Sequence, residues 1–261
     1  MMASRTLTGA FVMALVVTAV MSLGAQGRRG GAPPVAVGPG STEHVTVSGS
    51  EATVYLPGSY QTDAARRFPV VYLMVERSAD ALKVSEAADK LSNAQGFSTP
   101  IVVMVDAPAA PTAASEKFLA EDLVAFIDMR YRTIAARISR GLAGYSTGAT
   151  SALRVGMKRP DVFSSLYSMS AVDTLVSALD ANADNLRRYY AVAIDVGTKD
   201  ASLAANRALH DAMARLRVPH YYEEYEGEHV AKASERVATR LLPFFSKNLT
   251  APANPTSPAV Q

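Results

Sequence analysis

Cysteine is absent from the 261 residues, and so is tryptophan. The first absence excludes disulfides, thiolate metal sites, a cysteine nucleophile and a lipid-modified N-terminal cysteine in one stroke. Charge is sparse as well: 19% of residues are charged, 26 Lys and Arg nearly cancel 24 Asp and Glu, and the formal charge is +2. No basic run exceeds a pair such as Arg28-Arg29 or Arg66-Arg67, which argues against a nucleic-acid groove. There are four histidines, so a reaction that needs an imidazole has few candidates. Apolar residues make up 49% of the chain, enough for one sizeable core and one globular domain.

Arg5 precedes an apolar run from Leu7 to Leu23 that closes on small residues, Ser22, Gly24 and Ala25. That layout is expected of a secretory signal peptide over residues 1–25 and implies a secreted or periplasmic protein. An uncleaved anchor stays open as the alternative, because the run is nearly long enough to cross a bilayer; with the segment removed, no stable membrane association is expected. Gly and Pro crowd Gly30 to Gly40 and again Thr250 to Gln261, so residues 26–41 read as a linker and 250–261 as a frayed tail. The folded domain is expected over residues 42–249.

Within it, short β-branched runs alternate with stretches of helical period, the pattern of a doubly wound, mostly parallel sheet with helices on both faces. His44 to Val47 and Ala52 to Leu56 read as antiparallel edge strands joined by a short turn. Pro69 to Val75 and Ile101 to Val105 are continuous apolar runs suited to strands buried on both faces. Leu119, Leu123, Phe126, Ile127 and Tyr131 share one face of a helix expected over 118–131. Strands near 141–145, 163–169, 190–196 and 220–224 then alternate with helices near 80–94, 148–158, 172–183, 202–216 and 230–246. In such folds the ligand crevice lies at the carboxyl ends of the strands.

Gly144-Tyr145-Ser146-Thr147-Gly148 fits G-x-S-x-G between a strand-like and a helix-like segment. In that sharp turn a serine is presented on strained backbone, and the glycines remove side chains that would collide. A serine nucleophile needs a base to take its proton and an acid to fix the tautomer of that base. His44 lies in an edge strand, His210 in a helical run and His220 at a strand start. His229 follows the last strand and opens the last helix, where its ring can stand above the sheet ends. For the acid, Asp200 falls in the loop past a strand end, whereas Asp195 is still within the strand and reads as a structural carboxylate that hydrogen-bonds loop amides. Asp106, ending another strand, reads as a turn residue.

From about Ala52 to Phe245 the chain resembles the esterase D-like esterases of the α/β-hydrolase superfamily, a group with feruloyl, acetyl-xylan and enterochelin esterases, S-formylglutathione hydrolases and mycolyltransferases. The resemblance rests on Val54-Tyr55-Leu56-Pro57 with Tyr60, on Phe68 to Leu73, and on Leu119 to Tyr131. It continues through Gly144 to Gly148 with Ala152-Leu153 and Pro160 to Phe163, then Gly197-Thr198-Lys199-Asp200 and Gly227-Glu228-His229. It implies an α/β-hydrolase fold, a Ser146, Asp200, His229 triad, and an oxyanion hole formed by the backbone N–H groups of Thr147 and Arg77. It implies neither metal nor cofactor. One departure stands out: where the family usually has His-Gly after the strand, this chain has Val75-Glu76-Arg77. A Glu there is expected either to point to water with Arg77 or to damage the oxyanion hole, which would leave a non-catalytic binder. The main expectation is an exported serine esterase acting on small-molecule or polysaccharide-linked esters; an acyltransferase shares the same triad and differs in the acceptor. The stretch between Ser170 and Tyr190 leaves room for a small cap, and an open crevice suits extended esters.

Overall fold

The computed structural model describes residues 36–76, 82–107, 112–173 and 175–250. The expected signal peptide and most of the linker and tail lie outside them. Eight strands form one sheet: β1 (Ser41–Val47), β2 (Ser50–Leu56), β3 (Val70–Val75), β4 (Ile101–Asp106), β5 (Arg140–Tyr145), β6 (Ser165–Met169), β7 (Ala191–Gly197) and β8 (Tyr221–Tyr225). Their order is β1-β2-β4-β3-β5-β6-β7-β8. The two pairings of β2, with β1 and with β4, are antiparallel, and every pairing from β4 through β8 is parallel. Thus β1 is an edge strand but β2 is not, because its second side pairs with Ala52 opposite Val105 and Tyr55 opposite Val102. Ser48 and Gly49 both have positive φ, 49° and 83°, the backbone that a two-residue hairpin turn requires.

The continuous apolar runs are explained by two-sided burial. Along β3, Val70, Tyr72 and Met74 join the core on one face, where they meet Leu123, Ile127, Leu153 and Leu179. Val71, Leu73 and Val75 join the core on the other, with Ala88, Leu241, Leu242 and Phe245. The helices are α1 (Gly58–Thr62), α2 (Val84–Leu91), α3 (Ala113–Lys117), α4 (Leu123–Arg130), α5 (Thr147–Lys158), α6 (Val176–Leu186), α7 (Leu203–Arg215), α8 (Ala233–Arg236) and α9 (Leu242–Asn248).

Two helices differ from expectation in the same way. The one expected over 118–131 begins at Ala113 and passes through a π turn at Phe118–Asp122 before α4, and the last begins at Ala233 with a π turn at Val237–Leu241. A π turn inserts one residue and rotates the rest of the helix about its axis, yet Leu119, Leu123, Ile127 and Tyr131 all remain buried. The helix expected from Val172 starts at Val176, after Leu175 takes left-handed backbone. The short linker segment before β1 is tied to α2 and the turn after it: Gly40 N–H donates to Asp89 Oδ1 at 2.8 Å and Val37 N–H to Asn93 Oδ1 at 2.8 Å.

Candidate active site

Strands β5, β7 and β8 end at one edge of the sheet, and the segments after them carry Ser146, Asp200 and His229. Ser146 has φ 59° and ψ −124°, a conformation that costs a non-glycine residue strain and persists only where its surroundings impose it. They do so here. Ser146 N–H donates to Met169 O at 2.9 Å, holding it to the end of β6. A Cβ at Gly144 would lie 2.1 Å from Gly148 O, and one at Gly148 would lie 2.1 Å from Met74 O. Both glycines are therefore required by backbone approaching backbone. Thr147 is the first residue of α5, where N–H groups have no partner within the helix and face developing negative charge favourably.

His229 Nδ1 lies 2.9 Å from Asp200 Oδ2, the His229 side chain 29% exposed and the Asp200 side chain 1%. Asp200 Oδ1 accepts from both the N–H and the hydroxyl of Ser202, each at 2.8 Å. Burial pushes the Asp200 carboxyl up, but the Ser202 donors, the charge of His229 and the Ser170 hydroxyl outweigh it and hold it below its ordinary value. An ionised Asp200 accepting at Oδ2 puts the proton of the neutral imidazole on Nδ1, leaving Nε2 as the base. The base is steadied from its other side: Tyr145 donates through its hydroxyl to His229 O at 3.1 Å, and the two rings lie 5.4 Å apart.

Ser146 and His229 line one pocket of about 250 Å³ with Val75, Glu76, Tyr145 and Lys232. The structure thus gathers Ser146, Thr147, Asp200 and His229. Arg77 lies outside the described residues. Glu76 does not simply point to water: its carboxylate accepts a hydrogen bond from the Thr147 hydroxyl. Asp195 also departs from expectation. It is 1% exposed and pairs with Arg236 and with the Tyr167 hydroxyl, the latter at 2.9 Å, in place of loop amides. Among the described residues no cluster of side chains could hold a metal ion.

Several supporting groups carry no motif. Asn206, 1% exposed, donates through Nδ2 to Ala171 O at 2.8 Å and Ser202 O at 2.9 Å, so it ties the loop bearing Asp200 to the segment after β6. Arg236, Tyr225 and Ser170 form a second such group. Arg236 carries no sequence signal of its own.

A strained serine between a parallel strand and a helix, with a His–Asp pair over the neighbouring strand ends in this strand order, defines the α/β-hydrolase class. The chain belongs to the esterase family within it: the family described as "Putative esterase" matches residues 48–234. Solved structures agree on the fold. A ferulic acid esterase is 22% identical with a TM-score of 0.71, over 80% of this chain and 98% of its own. A feruloyl esterase module from Clostridium thermocellum, complexed with sinapinate, is 18% identical with a TM-score of 0.68, over 85% and 95%. The fluorophosphonate-binding serine hydrolase F of Staphylococcus aureus is 16% identical with a TM-score of 0.67, over 80% and 99%.

Proposed function

We propose that the chain is an exported serine esterase that hydrolyses carboxylic esters through an acyl-enzyme. Ser146 Oγ attacks the ester carbonyl while His229 Nε2 takes its proton, and Asp200 holds the imidazole and stabilises the imidazolium. The Thr147 N–H, with that of Arg77, receives the oxyanion. His229 then returns the proton to the leaving alcohol, and water, activated by the same base, releases the acyl group. Export rests on the signal-like run from Leu7 to Leu23.

The observation that carries this reading is the 2.9 Å contact between His229 Nδ1 and Asp200 Oδ2, with His229 and the strained Ser146 sharing one pocket. The ferulic acid and feruloyl esterases among the structural relatives favour hydroxycinnamoyl esters, free or on a saccharide, as the substrates to try after simple nitrophenyl esters.

The test is nitrophenol release from a short-chain nitrophenyl ester by the full chain and by Ser146→Ala, with fluorophosphonate labelling alongside. Release and labelling that both vanish in the variant support the esterase. A folded wild type that neither releases nitrophenol nor takes the label sinks it and favours a non-catalytic binder, the reading that the Glu76 carboxylate beside Thr147 supports.

A further inference from the structure

Behind the candidate active site lies a buried cation that the acyl-transfer chemistry does not use. Arg236, 3% exposed, sits on α8 against Asp195 on β7, itself 1% exposed. Burial pushes both groups toward their neutral forms. It raises Asp195 above the ordinary carboxylate value, while contact with Asp195 more than offsets it for the guanidinium, which is held above its own. Arginine stays charged at any accessible pH, and its guanidinium opposes the burial that raises the Asp195 carboxyl.

A buried ion pair is by itself weak evidence of a role, since its desolvation cancels much of its attraction. What distinguishes this one is where the rest of the fork goes. Nη2, besides meeting Asp195, donates to Ser170 Oγ at 3.1 Å, and Nη1 donates to the Tyr225 hydroxyl at 2.7 Å. The guanidinium carbon lies 4.3 Å from the centre of the Tyr225 ring.

Each of these hydroxyls accepts from arginine and so has its own proton to give. Tyr225 gives it to Glu228 O at 3.1 Å, the carbonyl of the peptide that leads directly into His229. The Ser170 hydroxyl is among the groups that hold Asp200, and Tyr225 as well, below where burial alone would put them. Ser170 is itself fixed at φ 55°, with its N–H donating to Asp195 O at 2.8 Å. One buried guanidinium therefore reaches the backbone of the base through the single hydroxyl of Tyr225 and holds the hydroxyl of Ser170, a group that bears on the acid.

We infer that Arg236 is a positioning residue that sets the His229–Asp200 geometry through Ser170 and Tyr225, with Asp195 as the counter-ion that fixes its fork. The inference rests on the esterase reading above. Polar chains of this kind polarise one another and rigidify what they hold, and small misplacements of a base are costly in rate. Lysine separates positioning from mere charge balance. Its ammonium can neutralise Asp195 but, as a point charge on a flexible stem, it does not reproduce a planar fork over Ser170 and Tyr225.

The experiment compares the full chain with Arg236→Lys, Ser170→Ala and Tyr225→Phe on a neutral nitrophenyl ester, with thermal melts to establish folding. It also records the far-downfield NMR resonance of the His229 imidazole Nδ1–H, which reports its hydrogen bond to Asp200 without turnover. Arg236→Lys is expected to lower kcat at least about tenfold with KM within about twofold. The two milder variants remove one hydroxyl each and are expected to lower kcat about three- to tenfold, even where Arg236→Lys does not fold. In all folded variants the Nδ1–H resonance is expected to shift or broaden. Wild-type kcat and an unmoved resonance in Ser170→Ala and Tyr225→Phe would overturn the inference. An inactive wild type would sink the esterase reading alone, and the resonance would still decide whether Arg236 positions the pair.

Discussion

The carboxylate of Glu76 accepts a hydrogen bond from the hydroxyl of Thr147, so a negative charge stands beside the residue whose N–H begins α5. A transition state that builds negative charge on an oxygen near that N–H is opposed by it. In water, two unit charges about 4 Å apart interact by about 1 kcal/mol, which is about fivefold in rate. Glu76→Gln keeps the shape and removes the charge. It is expected to raise kcat on a neutral ester about fivefold, with the gain shrinking as added salt screens the wild-type charge. Steady-state kinetics at low and high ionic strength decide it, and a loss of activity would mean that Glu76 serves the reaction.

Asp200 offers a prediction with two readouts. Asp200→Asn leaves the size of the side chain but lets it present an amide to Nδ1, which favours the wrong tautomer, and a drop in kcat of about ten thousandfold is expected. The second readout is stability. The Asp200 carboxyl is held below its ordinary value in the folded chain, against the opposing effect of burial, by Ser202 above all, so its contribution is present above the unfolded value and fades as the pH falls through the lowered one. Urea melts over a pH series should therefore find wild type more stable than the variant near neutrality and the two curves converging in acid. A gap independent of pH would contradict the role of the charge.

The legible parts of this molecule are those in which a local pattern already has its tertiary reason. Residues 70–75 read as a strand because both faces are buried, and Gly144 and Gly148 read as an elbow because no side chain fits there. Asp200 and His229 are legible from the places of their loops after β7 and β8. The π turns at Phe118–Asp122 and Val237–Leu241 are hidden because one inserted residue leaves an apolar helical pattern recognisable. Helix α1, five residues long, is too short to carry a period. Arg236 is hidden for a different reason. An arginine on a helix reads as solvated, and its partner Asp195 is 41 residues away in sequence, so that the pair exists only once β7 and α8 have met.

A histidine pair outside the pocket is expected to affect stability in a different pH window. His210 Nδ1 and His220 Nε2 are 2.8 Å apart, and His220 Nδ1 is 2.8 Å from Val218 O. Since that carbonyl can only accept, His220 carries its proton on Nδ1, and Nε2 accepts from His210. Burial lowers the His220 value below 6.5, and His210 adds to it, although the Val218 bond opposes them. The folded chain thus binds fewer protons than the unfolded one in this range, and stability is expected to fall as the pH drops below about 6.5. His220→Gln should flatten that part of the melting-temperature profile; a slope as steep as wild type would place its cause elsewhere.

The two glycines Gly148 and Gly156 lie on the same helix and should respond differently to alanine. At Gly148 the added Cβ would stand 2.1 Å from Met74 O, a backbone atom at the end of β3 that cannot swing aside, so the start of α5 must move. Overpacking of this kind costs about 1–3 kcal/mol, and the displaced segment carries Ser146 and the Thr147 N–H. Gly148→Ala is therefore expected to lose both stability and most of its kcat. At Gly156 the Cβ would meet Leu166 Cδ2 at 2.9 Å, Leu166 Cδ1 at 3.1 Å and the Tyr189 hydroxyl at 3.3 Å, the ends of side chains and not backbone. Alanine is favoured over glycine inside a helix by about 1 kcal/mol, which offsets that crowding. Gly156→Ala is expected to melt close to wild type and to keep its kcat. Equal losses in the two variants would refute the assignment of Gly148 to the elbow, because the helix would then be responding as a whole.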